Sequence, residues 1–158
     1  MATLAVTGSD TVKINNELIT SFGHGEVAKI SYATELATVK TGKNGNAIYV
    51  QNASGFQASM ELKVIRGSAD DKILQGYLTR YRTSPTTFVL INAEVIKKIG
   101  DGSGKVTADV YILTGGVPTK QVEAVVNVEG DVEQALSVYT FVFATSDRTM
   151  IMQPATGN

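Results

Sequence analysis

The sequence has no cysteine and no tryptophan, and its 158 residues include one histidine and three prolines. The absence of cysteine excludes disulfide bridges and thiolate metal sites. The histidine, His24, has no second histidine to share a metal with, and it lies between two glycines in Phe22–Glu26, so we interpret it as a turn residue. No Asp-x-Asp-x-Asp calcium loop is present either. We therefore expect no metal and no cofactor.

An excess of charge of one sign is also missing. The chain has 14 basic and 15 acidic residues, interspersed, with a formal net charge of −1. Since proteins that grip duplex DNA cluster Lys and Arg, we expect no specific nucleic-acid binding. No apolar run approaches the roughly 20 residues of a membrane helix, and Met1–Val6 lacks the pattern of a secretory signal. We expect one domain, residues 1–158, made and assembled in the cytoplasm.

Motifs for catalysis are scarce as well. Gly100–Lys105 resembles part of a phosphate-binding loop, but Val106 follows the lysine where Ser or Thr is required, and a strand follows instead of a helix. No Gly-x-Ser-x-Gly elbow accompanies the single histidine. Asp70 and Asp71 are adjacent on a predicted helix and point about 100° apart, so we interpret them as first-turn acids that complement the helix dipole. The sequence predicts no enzyme.

Alternation of apolar and polar residues indicates that most of the chain forms β-strands. Period-two alternation dominates in three stretches, namely Phe56–Val64, Val106–Ile112 and Val122–Val128. Leu136–Ala144 and the first half of Thr87–Ile96 are rich in β-branched and aromatic residues, which is typical of strands buried on both faces.

Glycine and asparagine mark the expected turns. Asn15-Asn16 predicts a tight hairpin. The other expected turns are Gly42–Asn46, Gly100–Gly104, Gly115–Pro118 and Glu129–Asp131.

One segment has a helical period instead. Between Asp70 and Arg82 the apolar residues recur at helical spacing, at Ile73, Leu74, Tyr77, Leu78 and Tyr81. Ser68 precedes this segment as an N-cap, and Pro85 prevents its extension. The predicted fold is therefore mainly β, a sandwich or barrel with one helix, about 70–82, packed against it.

The order of these elements resembles that of the tail tube proteins of contractile-tailed phages and related injection machines. In that family two long hairpins flank one helix; here the first hairpin would be Glu26–Lys40 with Ala47–Arg66. Three stretches carry the resemblance: Val12–Glu26, Met60–Leu74 with its Gly-Ser-Ala-Asp-Asp helix start, and Glu133–Phe141.

The resemblance implies a structural subunit of a virion tail. Such subunits form hexameric rings, and each contributes strands to one β-barrel around a central channel. The rings stack into a tube under a contractile sheath, and the genome passes through without specific binding. The implied partners are further copies of the chain, the tail sheath, the tape-measure protein, the baseplate hub and the tail terminator.

Within this family, the polar faces of the predicted strands would line the channel. This set contains three acids and two bases, so it is not net positive, as sliding DNA requires. Its members are Lys29, Ser31, Gln57, Ser59, Glu61, Lys63, Thr107, Asp109, Gln121, Glu123 and Asn127.

Two further surfaces are expected to make contacts in the tube. A glycine-rich polar loop would reach the neighbouring ring and become ordered on contact. That loop comprises Thr41, Gly42, Lys43, Asn44, Gly45 and Asn46. Arg80 and Arg82, at the end of the helix, would face the sheath.

A second class of function stays open at this point. A β-sandwich with one helix also suits a monomeric adhesion or carbohydrate-binding module. Such modules usually expose clustered aromatic residues, often tryptophan, and this chain has none.

Overall fold

A computed structural model describes residues 5–6, 10–23, 27–100, 103–124, 126, 128 and 132–153. The predictions for His24, for Asn127 and for the turn at 129–131 concern residues outside these ranges. Within them, one α-helix, α1, spans Ala69–Thr83, and short 3₁₀ turns cover Lys43–Gly45, Ala53–Phe56 and Val132–Ala135. The strands are β1 (Ala5–Val6), β2 (Thr11–Ile14), β3 (Glu17–Ile19), β4 (Ala28–Ser31), β5 (Ala37–Thr41), β6 (Ala47–Gln51), β7 (Ala58–Ile65), β8 (Ile91–Gly100), β9 (Val106–Pro118) and β10 (Leu136–Gln153).

The described strands form two antiparallel sheets of very different size. The larger has the order β3-β2-β8-β9-β10-β7-β4, with β1 paired to β8. The smaller consists of β5 and β6 alone. The mainly β fold with one helix, predicted from the sequence, is confirmed.

The larger sheet curls because one stretch of chain connects its two ends. Residues 21–23 follow β3 directly, yet they run along β7, close to the other end of the sheet. Ile65 donates its backbone N–H to the Ser21 carbonyl at 2.8 Å, and Gly23 donates to the Lys63 carbonyl at 3.1 Å. The ends of the sheet are therefore drawn together into a half-barrel.

The core fills the inside of this half-barrel. Strand β7 alternates as the sequence predicted, with Ala58, Met60, Leu62 and Val64 buried. Strand β10 contributes three stacked or tilted aromatic rings that are almost fully buried. These are Tyr139, Phe141 and Phe143.

The helix covers one side of the core. Leu74 is fully buried and Tyr77 is 7% exposed, while Ile73 and Tyr81 of the predicted apolar stripe remain more than one third exposed. Ser68 is the N-cap, as predicted: its hydroxyl oxygen accepts the Asp71 N–H at 3.2 Å. The hairpin at Asn15-Asn16 is also confirmed, and both residues have positive φ, 50° and 67°, as a type I′ turn requires.

The sequence was wrong about two stretches around residues 115–128. Gly115–Pro118 is not a turn, because β9 runs through it. A residue with a Cβ at Gly116 would meet the Phe143 ring at 2.4 Å, and Gly115 has φ +72°, so these glycines permit close strand approach and an irregularity within the sheet. The alternating stretch Val122–Val128 is not a strand at its described positions, because no neighbouring strand pairs with it.

The first predicted hairpin is interrupted. Residues 32–36 separate β4 from β5, and residues 52–57, including the 3₁₀ turn, separate β6 from β7. Strand β4 pairs with β7 in the larger sheet, whereas β5 and β6 pair only with each other. Phe56 consequently lies in a 3₁₀ turn, and 87–90 precede β8 without strand structure.

Candidate assembly surfaces

The β5–β6 hairpin, called the arm below, exposes apolar side chains on both of its faces. Val39 lies opposite Tyr49 on one face, and they are 58% and 75% exposed. Ile48 and Val50 lie on the other face, 56% and 49% exposed. All ten strand residues of the arm are exposed or half-buried. A two-stranded hairpin with this surface has no core of its own.

The base of the arm, in contrast, is closed by contacts between its two flanking segments and is joined to the body by a hydrogen bond from β10. Asn52 donates its backbone N–H to the Leu36 carbonyl at 2.9 Å, and its amide group bonds Glu35 and Thr38. Gly55 packs against the backbone of Leu36, where a Cβ would lie 2.7 Å from the Leu36 Cα. Ser146 of β10 donates its hydroxyl to the Phe56 carbonyl at 3.0 Å. The arm therefore projects from a defined position.

The tip of the arm is a closed turn. Asn44 has φ 65° and Gly45 φ 80°, and the Asn46 amide group donates to the Lys43 carbonyl at 3.2 Å. Asparagine and glycine accept the left-handed conformations that close this turn. That Thr41–Asn46 becomes ordered on contact stays a prediction. Whether the tip contacts a neighbouring ring stays a prediction.

Part of the predicted channel-lining set shares one face of the β4–β7 pair, opposite the core. Lys29 lies opposite Glu61 and Ser31 opposite Ser59, with Lys63 two residues further along β7. Gln57 is exposed just before this strand. The charges on this face are two lysines and one glutamate, a net +1 where the full predicted set was −1.

Thr107 and Asp109 lie far from that face. Asp109 lies opposite Met150 of β10, whereas Glu61 lies opposite Thr140 of the same strand. These two positions of β10 are ten residues apart. Asp109 is only 4% exposed. Its carboxylate accepts two hydrogen bonds from Arg148, at 2.8 and 2.9 Å, which hold the pKa of Asp109 below its ordinary value. The expectation that Asp109 belongs to an open polar face is wrong for the subunit, because this ion pair covers it.

Gln121 lies beside the helix, in a groove of about 310 Å³ that Arg82 also lines. The sequence placed Gln121 at the channel and Arg82 at the sheath. A tube wall separates those two locations, so the two assignments exclude each other. Glu123 follows in the same non-strand segment, and its carbonyl accepts a 3.0 Å hydrogen bond from Arg66.

A second groove of about 340 Å³ lies on the other flank of the helix, and Thr79 lines both grooves. Arg80 lines this second groove, with its guanidinium 5.4 Å from the centre of the Tyr77 ring. Tyr81 of the first groove and Phe88 of the second meet edge to face, with ring centres 5.3 Å apart. The end of the helix therefore carries both of the arginines that the sequence singled out.

The adjacent acids Asp70 and Asp71 are structural. Asp70 accepts the backbone N–H groups of Thr20 and Ser21 at 2.9 and 2.8 Å. Burial acts to raise the pKa of Asp70, but these two hydrogen bonds outweigh it and lower the pKa. Asp71 accepts the hydroxyl of Tyr139, whose pKa is raised by burial and by that bond. The two carboxylates thus join α1 to the segment after β3 and to β10.

Sequence reasoning missed Arg66. Its guanidinium donates to the carbonyls of Glu123, Gln134 and Leu136, at 2.9–3.0 Å. It therefore connects the end of β7 to both ends of the connection between β9 and β10. No sequence signal identifies it, since the three acceptors are backbone atoms 57 to 70 residues away.

In the part of the chain that the structure describes, no helix has the length and apolarity to cross a membrane. The same residues contain no cluster of three or more His, Asp or Glu side chains that could hold a metal ion.

No protein-family model matches the sequence, and no curated protein matches it.

The fold, however, is similar to that of solved structures from injection machines. One is the cap of the anti-feeding prophage, a tube-terminating cap, with TM-score 0.62, 9% identity and coverage of 93% of this chain and 92% of that one. Another is the sheath/tube terminator of the extracellular contractile injection system PVC, with TM-score 0.54, 14% identity and coverage of 94% and 96%. A third comes from the PVC sheath-tube complex, with TM-score 0.52, 14% identity and coverage of 92% and 88%. At these identities the similarity establishes a shared fold.

Proposed function

We propose that the chain is a structural subunit of the tail tube of a contractile phage tail or a related injection machine. Six copies form a ring, the rings stack into a hollow tube, and the genome or another cargo passes through the channel. The observation that carries this proposal is the arm, whose apolar side chains are exposed on both faces although its base is joined to the body. Its fold, shared with components of contractile injection systems, supports the same function.

The arm suits assembly because its surface is costly to leave in water. Burying apolar area yields about 25 cal/mol per Å², so covering Val39, Ile48, Tyr49 and Val50 would contribute several kcal/mol per subunit. Because the apolar residues lie on both faces, one flat partner surface covers only half of them. The arm therefore inserts between two surfaces, which are other copies of the chain in the same ring and in the next one.

The face bearing Lys29, Ser31, Ser59, Glu61 and Lys63 is our candidate for the channel wall. Strand β4 ends the order of the larger sheet, and an edge strand can pair with a neighbouring subunit to build a continuous barrel. These residues carry a net charge of +1, so by themselves they do not meet the expectation of a channel that is not net positive, although the proximity of Lys29 to Glu61 reduces the attraction of this face for DNA. This wall does not include Thr107 and Asp109, because they lie far from the β4–β7 face. It does not include Gln121 either, because that residue lies beside the helix.

The remaining partners follow from the same proposal. The tube would contact a sheath outside, a tape-measure protein inside, a baseplate hub at one end and a terminator at the other. The assembled location is the tail of a virion or injection particle, built in the bacterial cytoplasm. The subunit needs no catalytic group for this role.

Negative-stain microscopy of the purified protein tests the proposal directly. We expect six-fold rings or hollow tubes for the natural sequence. The double substitution I48S/Y49S should keep the fold, measured by circular dichroism, and abolish tube growth. The matched control is K40S, which alters an exposed polar residue of the same hairpin and should form normal tubes.

Two results would contradict the proposal. A monodisperse monomer at high concentration would favour the adhesion or binding module instead. Normal tubes from I48S/Y49S would show that the apolar side chains of the arm are not needed for assembly.

A second candidate function is the terminator that closes a tube. The higher TM-score, 0.62 with a tube-terminating cap against 0.52 with the sheath-tube complex, favours it. Both functions use stacked rings, but a terminator stops after one or two. Purified protein that forms single rings, and that shortens the tubes grown by a separate tube protein, would select the terminator.

A further inference from the structure

We infer that the groove beside α1 that Arg82 and Gln121 line, called the helix groove below, binds an acidic, amphipathic segment of another protein. This inference rests on the proposed function in one respect, which is that the helix groove lies on the outside of the tube. The surface itself is defined by the subunit alone.

The charges of the helix groove all have one sign. Arg82 and Lys120 line it, and none of its lining residues is Asp or Glu. Among the described residues, the one salt bridge joins Arg148 to Asp109, so these two cations have no acidic partner there. A partner segment with carboxylates spaced along its length would complement them and gain charge-assisted hydrogen bonds.

The floor of the helix groove is apolar. Leu78 is half-buried, and Pro118, the last residue of β9, is buried. Exposed hydroxyl groups of Thr79 and Thr119 provide hydrogen-bonding positions along its edges. An occupant therefore needs apolar side chains toward the floor and acidic ones toward the rim, which is the pattern of an amphipathic peptide.

The same features disfavour a nucleic acid as the occupant. Nucleic-acid surfaces combine many basic residues in a long stripe, and this chain has a net charge of −1 with only two cations at the helix groove. The helix groove is also short, since it lies along one end of a helix of 15 residues.

Fluorescence polarisation with labelled synthetic peptides tests the inference. The probes are a peptide that alternates Leu-Leu with Glu-Glu, the same peptide with Lys in place of Glu, and a single-stranded oligonucleotide. We expect binding of the acidic peptide only, weakening as salt is raised because the contacts are ionic. The variant R82E/K120E should weaken that binding at least about tenfold.

The matched control is K72E, which reverses an exposed lysine near the other end of the same helix and should change affinity less than about twofold. Equal loss from K72E, equal binding of the Lys peptide, tighter binding of the oligonucleotide, or no binding of the acidic peptide would each overturn the inference. Tube formation is scored separately on the same samples. Tubes without peptide binding would refute the peptide-binding role of the helix groove and leave the proposed function intact. Peptide binding without rings or tubes would support that role and contradict the proposed function.

Discussion

The body and the arm of this subunit are both antiparallel β-structure, yet apolar side chains are buried in the body and exposed in the arm. In β7 every second residue is buried against the core. In β5 and β6 the apolar residues are exposed, and Tyr49 reaches 75% exposure. The local β chemistry is the same in both regions. The difference is the presence of a covering layer, which the body obtains from its own curl and its helix, and which the proposed assembly would supply to the arm.

The comparison predicts that the same type of truncation has opposite consequences in the two regions. Loss of a side chain from the body should reduce the free energy of unfolding. Loss of a side chain from the arm should leave that free energy unchanged and alter assembly. The predictions below test this difference, ordered by their expected effect on unfolding.

Phe141→Ala should have the largest effect. Phe141 is fully buried between Tyr139 and Phe143, so its truncation removes apolar contact and leaves a cavity. We expect the free energy of unfolding in urea to fall by about 3–5 kcal/mol. A loss below about 1 kcal/mol would show that the body is not packed around these rings.

Asp70→Ala should have the next largest effect. The substitution leaves the backbone N–H groups of Thr20 and Ser21 without their acceptor, which typically costs about 1–3 kcal/mol. Urea denaturation measures the loss, and Lys72→Ala, on the exposed side of the same helix turn, serves as the control. An equal effect of the two substitutions would contradict the structural role of Asp70.

Acid should weaken the body through Asp70 and Asp109. Both carboxyl groups have a lowered pKa in the folded protein, so the stability they confer is complete above the ordinary aspartate pKa of about 3.9. It is lost as the pH falls through the lower, folded-state values. We expect the urea midpoint to drop more steeply below about pH 4 in the natural protein than in D70A/D109A. If the urea midpoint falls equally steeply in both proteins, these two carboxyl groups do not cause the loss of stability in acid.

Ser68→Ala should cost less, about 1 kcal/mol, because one N-terminal N–H of the helix loses its cap. Thermal denaturation followed by circular dichroism measures the shift. Ser84→Ala, at the other end of the helix, is the control, because the cap bond there comes from the Ser84 backbone N–H and not from its side chain. A shift in melting temperature no larger than that of the control would show that the Ser68 side chain does not stabilise the helix as a cap.

Tyr49→Ala should have the smallest effect on unfolding, within about 0.5 kcal/mol, since the side chain is mostly exposed in the subunit. Its effect should appear instead as fewer or shorter tubes in electron micrographs. Loss of stability comparable to that of Phe141→Ala would mean that the arm is part of the body, and the contrast between the two regions would be void.

The sequence predicted several elements well because their signals are local. The helix, its Ser68 cap and the Asn15-Asn16 turn depend on residues within a few positions of each other. The strands of β7 and β10 follow from alternation and from β-branched and aromatic content. The failures involve partners far away in the chain. Val122–Val128 alternates except at Val125, but at its described positions no strand lies beside it.

The candidate surfaces divide in the same way. Lys29, Ser31, Ser59, Glu61 and Lys63 were predicted as one group, and strand register does place them on one face. Asp109 was assigned to that group by polarity alone. Its ion pair with Arg148 spans 39 residues and could not be read from the sequence.

The sequence by itself determined that this protein is mainly β with one capped helix, because period, propensity and turn chemistry act over a few residues. Its lack of cysteine and its single histidine also limited the metal chemistry available. Only the tertiary structure decided which apolar strands are covered. Burial depends on what lies across the sheet, so it separated the arm from the body and brought Arg82 and Lys120 to one groove.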